Sequence, residues 1–413
     1  MNHSPEPFDL HRLHRRFSEK FGSETKLAAS RGSGSGTRTD GQSLPRAFHA
    51  PGRVNLIGEH TDYTGGMVFP CAIDRGNLLL IRRTKNNQYR FASTNFDLMA
   101  QLSSEEIAKT YGDSWINYPL GVIDQFRQRG VQLDGFDCLY SGNVPNGAGL
   151  SSSAAIEVVT AFALNELFDV GLERMELVKL SLAAENDFVG MQCGIMDQFA
   201  VTMGQANHAM MLDCETLDYR QVPLDLGENS IVLANTNQRR ELNESAYNDR
   251  VSECARALEY VQQSIDVENL GALSVTELNT AKVQFNNDTV AFQRATHICS
   301  ENARVLAAVS ALEKNNFMEF GQLMQASHSS LRDDFEVSSA PLDTLVALAL
   351  AHDGVLGARL TGAGFGGCTV NLMHQDSVES FRENVGHAYR QATGLTADFY
   401  SIQPSNGVEE FQP

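Results

Sequence analysis

Residues 144–155 read Val144-Pro-Asn-Gly-Ala-Gly-Leu-Ser-Ser-Ser-Ala-Ala155, between a β-rich run, Asp137 to Ser141, and an apolar helical run, Ala154 to Phe168. Pro145 ends the strand, and Gly147 and Gly149 let the backbone approach a bulky group closely. Three serines then open a helix whose free N–H groups and positive dipole end favour an anion. No lysine follows the glycines, which excludes a Walker A loop. A phosphate cradle and a serine-rich helix cap both satisfy the pattern.

Three further segments concentrate chemistry. Leu360-Thr-Gly-Ala-Gly-Phe-Gly-Gly367 precedes a strand, Cys368 to Met373, as either a tight turn or a site of close backbone approach. Ala50-Pro-Gly-Arg-Val-Asn-Leu-Ile-Gly-Glu-His-Thr-Asp-Tyr-Thr-Gly-Gly66 reads as a polar loop that brings Arg53, Glu59, His60 and Asp62 together among glycines. Such a loop can present several hydrogen-bonding groups to a polyol, and its arginine can neutralise a phosphoryl group. Asp197 lies in an apolar neighbourhood, where a carboxylate is costly unless partnered, so it is a structural ion pair or a catalytic base.

Short β-rich runs (Asn77 to Ile81, Asp137 to Ser141, Ser230 to Asn235, Cys368 to Met373) alternate irregularly with helical patterns at Ile116 to Arg129, Ala154 to Phe168, Arg174 to Asp187, Ser245 to Gln262 and Ala303 to Lys314. That order implies an α+β protein rather than a regular βαβ repeat. The length of 413 residues suits two domains. The expected division is an N-terminal helix and Gly/Ser loop over 1–45, a first domain over 46–220 and a second over 221–413. Leu10, Leu13, Phe17 and Phe21 recur at helical spacing with one buried stripe. The polar, glycine-rich run at 31–42 reads as a surface loop.

The net charge of −19 argues against a nucleic-acid or anionic-membrane partner, because both need a basic surface. No run of 18 apolar residues occurs. Seven scattered cysteines without a CxxC suit reduced thiols in a cytoplasmic protein and offer no metal cluster.

Taken together the segments resemble the GHMP kinase superfamily, and GRVNLIGEHTDY at 52–63 resembles the signature of its galactokinase family. CGIMDQF at 193–199, SAYNDR at 245–250, SHSSLRDDFEVS at 327–338 and RLTGAGFGGCTVN at 359–371 are similar to segments of that family in the same order. The resemblance implies a two-domain fold of mixed sheets and helices with the active site in the interdomain cleft. It implies transfer of the γ-phosphoryl group of ATP to the C1 hydroxyl of galactose, the first step of galactose catabolism, in a monomer or weak homo-oligomer. By the same resemblance Asp197 would be the base, and Arg53 would stabilise the transferring phosphoryl group and help keep Asp197 ionised. Glu59, His60, Thr61, Asp62 and Tyr247 would bind the sugar. Gly147, Ala148, Gly149, Leu150, Ser151, Ser152 and Ser153 would cradle ATP, and Ser153 and Glu185 would hold Mg²⁺. Trp115 and Ser93-Thr-Asn95 are candidates for the adenine pocket. Another monosaccharide as acceptor stays open, since selectivity depends on pocket shape at the sugar's 2-substituent.

Overall fold

A computed structural model describes residues 8–22, 44–108, 112, 114–145, 147–238 and 243–411. The 31–42 loop and Asn146 lie outside them. The described strands are β1 (Arg46–Asn55), β2 (Met67–Val68), β3 (Pro70–Arg83), β4 (Gln88–Ser93), β5 (Met99–Ser103), β6 (Phe136–Gly142), β7 (His208–Asp213), β8 (Tyr219–Pro223), β9 (Asn229–Asn235), β10 (Val355–Thr361), β11 (Cys368–His374), β12 (Asp398–Ile402) and β13 (Glu409–Glu410). The helices are α1 (Leu10–Phe21), α2 (Asn117–Gln128), α3 (Ser152–Leu167), α4 (Arg174–Ala183), α5 (Met196–Met203), α6 (Asn243–Val261), α7 (Val275–Ala281), α8 (Thr289–Glu313), α9 (Phe317–Asp333), α10 (Ala340–Leu350) and α11 (Val378–Thr393).

A six-stranded sheet runs β13-β1-β3-β6-β4-β5, antiparallel except for β4 beside β6. Alternate residues of its central strands serve two different cores. Leu79, Ile81, Cys138 and Tyr140 face the core that contains buried residues of α2 and α3. Leu78, Leu80 and Leu139 face Leu13, Phe17 and Phe21, the buried stripe expected of α1. Coverage on both faces explains why Leu78-Leu-Leu-Ile81 is an unbroken apolar run.

The second sheet, β10-β11-β9-β12, is wholly antiparallel. Val232, Ala234 and Met373 pack with residues of α10 and α11, whereas Leu233, Val370 and Leu372 enter a core shared with Val54, Ile57, Ala148 and Leu150 of the first half. The two halves are therefore joined by apolar packing beneath the glycine loop. A small sheet, β2-β7-β8, completes the strands.

Several elements differ from expectation. The part of the polar loop from Ala50 to Asn55 is strand, the end of β1, with a bulge between Pro51 and Gly52 that accommodates the proline. Burial of Val54 and pairing to β3 outweigh its proline and glycine. The helix expected from Ala303 to Lys314 is the C-terminal half of α8, whose first half places Arg294, His297, Glu301 and Asn302 on its buried face and so lacks a purely apolar stripe. The helix expected to Asp187 ends as α4 at Ala183 and passes into a π-helical turn, Ala184–Val189. α3 begins at Ser152, two residues before the apolar run. The chain finally returns to the first sheet, where Phe48 pairs with Glu410.

Phe17 is 1% exposed and lies under the Arg82 guanidinium. Phe17→Ala is expected to lower stability by about 3 kcal/mol, read as a fall in the urea midpoint. An unchanged midpoint would mean that α1 does not unfold with the sheet it covers.

Candidate active site

A cavity of about 310 Å³ collects side chains from distant parts of the chain. Arg53 comes from β1, Glu59, His60 and Asp62 from the turn after it, residues 147–153 from the loop into α3, Asp197 from the first turn of α5, and Tyr247 from α6. Glu185 projects from the π-helical turn, and Gly362 and Ala363 follow β10. All the sequence-predicted catalytic, sugar, phosphate and metal residues line the cavity except Thr61, which is fully buried. The Thr61 hydroxyl donates towards the carbonyls of Gly58 (3.0 Å) and Met67 (2.7 Å), closing the turn from within.

Asp197 is held from two sides. Arg53 Nε donates to Oδ1 at 2.8 Å, and the Ser151 hydroxyl donates to Oδ2 at 2.7 Å. Arg53 Nη1 also donates to the Gly149 carbonyl at 2.6 Å, which ties the base of the glycine loop to the same guanidinium. Ser151 adopts φ 59° and ψ 43°, the left-handed region. A non-glycine residue there costs on the order of 1–3 kcal/mol, and its hydroxyl is thereby turned onto the carboxylate. Asp197 is thus both ion-paired and, with its side chain 26% exposed, accessible from the cavity. Of the two readings open for it in the sequence, the ion pair is present.

The loop into α3 is a strand–glycine–helix turn, with Gly147 and Gly149 at φ 70° and 72°. A Cβ on Gly147 would meet nothing within 4 Å, so its need for glycine is the backbone angle. Ser152 and Ser153 occupy the first turn of α3, where backbone N–H groups lack helical partners. The second glycine cluster closes over this loop. Gly362 has φ 84°, and a Cβ there would stand 2.9 Å from the Gly149 carbonyl oxygen.

Glu59 is 1% exposed and its carboxylate is fully engaged. Oε2 accepts from Asn55 Nδ2 at 2.8 Å; Oε1 accepts from the Thr361 hydroxyl at 3.0 Å and Gly362 N at 2.6 Å, with Arg359 3.3 Å away. His60 meets Tyr63 Oη at 2.9 Å and the Ala363 carbonyl at 3.2 Å, and its ring leans on Tyr247 and Phe335. Burial lowers the His60 pKa to about 3, so the ring is neutral. Asp62 is pushed up to about 7 by burial and by the charges of Asp197 and Glu59, against the pull of Arg53. The Cα of Gly194 lies directly against the Asp62 carboxylate, leaving no room for a side chain.

A second acidic group sits at the wall beside α3. Burial raises the Glu185 carboxyl and Asp197 adds to it, while hydrogen bonds from Cys193, Ser153 and Gln198 oppose the rise. Gln198 Nε2 bridges Glu185 and Glu157, the latter at 3.1 Å. Burial first, and Glu185 second, push Glu157 well above the usual carboxylate range.

Asn55, Arg359, Thr361 and Gln198 were not read as site residues. Each lies inside a quoted segment, but its partner lies across a turn, as for Asn55, some tens of residues back, as for Gln198, or about 300 residues away, as for Arg359 and Thr361, and no spacing marks it. The adenine-pocket candidates do not line the cavity. Trp115 stacks on Phe96 with centroids 6.4 Å apart, and Asn95 exchanges hydrogen bonds with Gly142.

The family described as GHMP kinases N terminal domain matches residues 117–205, and GHMP kinases C terminal matches 308–391. The galactokinase galactose-binding signature matches 38–83. The galactokinase of Exiguobacterium sibiricum is 47% identical over 375 residues, 90% of this chain and 95% of that one. The galactokinase of Bacillus subtilis is 45% identical over 370 residues, 89% and 95% of the two chains. The structure of Lactococcus lactis galactokinase complexed with galactose superimposes with a TM-score of 0.90 at 39% identity, covering 97% of this chain and all of that one. Methanococcus jannaschii mevalonate kinase, at 20% identity and TM-score 0.62 over 88% of this chain, shares the fold. With that two-domain α+β architecture and that extent of identity, the chain belongs to the galactokinase family of the GHMP kinases.

Proposed function

We propose that the chain transfers the γ-phosphoryl group of ATP to the C1 hydroxyl of α-D-galactose, giving galactose 1-phosphate and ADP. The observation that carries this reading is the Asp197 carboxylate, held by Arg53 and Ser151 where the 58–62 turn and the loop into α3 meet in one cavity. Asp197 accepts the proton of the C1 hydroxyl as that oxygen attacks the γ-phosphorus and the bond to the β-phosphate oxygen breaks. Arg53 neutralises charge on the phosphoryl group in transit. Phosphoryl transfer asks a protein mainly for such positioning and charge neutralisation.

His60, Asp62 and Tyr247 bind the sugar hydroxyls, and Glu59 fixes the wall behind them. The backbone of residues 147–153 cradles the ATP phosphates. Ser153 and Glu185 would hold Mg²⁺, and the donor set fits it: hard oxygens, in a cavity where Glu185, Asp197 and Asp62 stand without enough cations of their own. Mg²⁺ keeps water and substrate-phosphate ligands beside one or two protein oxygens. Bound with ATP, the ion supplies further neutralisation of phosphate charge. Trp115 and Ser93–Asn95 remain candidates for the adenine contact. A cytoplasmic location is proposed from seven cysteines that all stand free; no described helix is long and apolar enough to cross a membrane.

With ATP and Mg²⁺, ADP release is expected with galactose well above that with N-acetylgalactosamine, glucose, arabinose or mevalonate; a preference for N-acetylgalactosamine would move the substrate assignment and leave the chemistry. Asp197→Asn should keep galactose binding and lower kcat by roughly 10² to 10⁴-fold, the range for a positioned general base; near-normal turnover would refute its role. Because the Asp62 carboxyl titrates at about 7, its ionised share rises from about a tenth at pH 6 to about nine tenths at pH 8. The ionised form accepts sugar hydroxyls on both oxygens. Galactose Kd by calorimetry without ATP should therefore fall several-fold over that interval, and Asp62→Asn should flatten the dependence.

A further inference from the structure

The turn that carries Glu59, His60 and Asp62 is held from outside the cavity by one face of α8. Glu301 is fully buried, and its Oε1 accepts from the Gly58 amide at 2.9 Å and from the Ser327 hydroxyl at 2.6 Å. Its Oε2 accepts from Arg304 Nε at 2.6 Å. Burial alone would raise its carboxyl, but Arg304, His297 and Arg359 outweigh that and hold it at about 2. One helical turn earlier, His297 Nε2 lies 3.0 Å from the Glu59 carbonyl oxygen and Nδ1 lies 3.0 Å from Ser330 Oγ. The carbonyl can only accept, so Nε2 carries the proton of this neutral ring.

These two bonds act where the turn is strained. His60 has φ 63°, in the left-handed region that a non-glycine residue occupies at a cost. Rotation about φ of His60 moves the Glu59–His60 peptide, and His297 fixes the carbonyl of that peptide. Glu301 fixes the amide two residues before. Without both, the turn is free to relax towards a right-handed His60, which would swing the ring away from Tyr63 and Ala363 and displace Asp62 behind it. Neither Glu301 nor His297 lines the cavity.

We propose that Glu301 and His297 are positioning residues for the sugar-binding turn: they hold His60 in its left-handed conformation and so set galactose affinity without touching substrate. This rests on the reading of 59–62 as the sugar site. The test compares Glu301→Ala, Glu301→Gln, His297→Phe and Asp62→Ala by calorimetric galactose Kd and by KM for galactose and ATP. Glu301→Ala and His297→Phe are expected to weaken galactose at least tenfold with ATP KM within twofold of the parent. Glu301→Gln keeps an acceptor oxygen for Gly58 and should return galactose affinity to within threefold. The proposal is overturned if galactose affinity is unchanged in both the alanine and phenylalanine variants, if the two KM values rise together, or if Glu301→Gln is as impaired as Glu301→Ala. If Glu301→Ala does not fold, the His297→Phe and Glu301→Gln pair decides. A loss in Asp62→Ala beside normal Glu301→Ala and His297→Phe removes the clamp alone; no loss in Asp62→Ala removes the sugar-site reading and the clamp with it.

Discussion

A buried carboxylate, Glu59, is the constraint around which the two halves are organised. An ionised group out of water is tolerated only when its lone pairs are filled. Here the donors are Asn55 at the end of β1 and Thr361 and Gly362 at the end of β10, with the Arg359 guanidinium 3.3 Å away as the ion-pair partner. Satisfying one side chain therefore sets the distance between the first sheet and the second. Arg359 Nη1 and the Thr361 hydroxyl also donate to the Asn55 carbonyl, so the same junction is stitched through backbone. The second glycine cluster can approach Gly149 closely because its first residue is anchored there.

The cavity that results has an unbalanced electrostatic character. Asp197 repels both Glu185 and Asp62, and Arg53 is placed against Asp197. A site that strains to hold negative charge would be poor for binding phosphate by charge alone. The helix start at Ser152 and the glycine amides compensate, and on the proposed reading a shared cation adds to them. On the proposed reading, sugar recognition and phosphate recognition thus draw on different physics: side-chain hydrogen bonds in one lobe, backbone amides and metal in the other.

The α+β class and most of the site were legible because the chemistry is concentrated in short segments. The loop at 144–155 announces itself through Pro145, two glycines and three serines beside apolar runs. The β1 strand was hidden, because Pro51, Gly52 and Arg53 look like loop until β3 and the buried Val54 are seen beside them. The left-handed angles of His60 and Ser151 leave no mark in residue type. Contacts such as His297 to Glu59 join positions 238 residues apart, and their helical faces read as ordinary packing. Roles that depend on a partner across the fold are invisible to spacing and periodicity.

The return of β13 to β1 has a consequence for how the protein is made. Arg46 and Glu410 close a contact across 364 residues, so the edge of the first sheet is covered only when almost the whole of this sequence has been synthesised. Until then a nascent chain carries β1 with its outer edge unpaired around Ala47 to His49, the arrangement that recruits other strands. Non-local closure of this kind is slow. Early release or stalling late in translation would thus leave a folded first half with an adhesive edge, a species for a chaperone to shield rather than a harmless fragment.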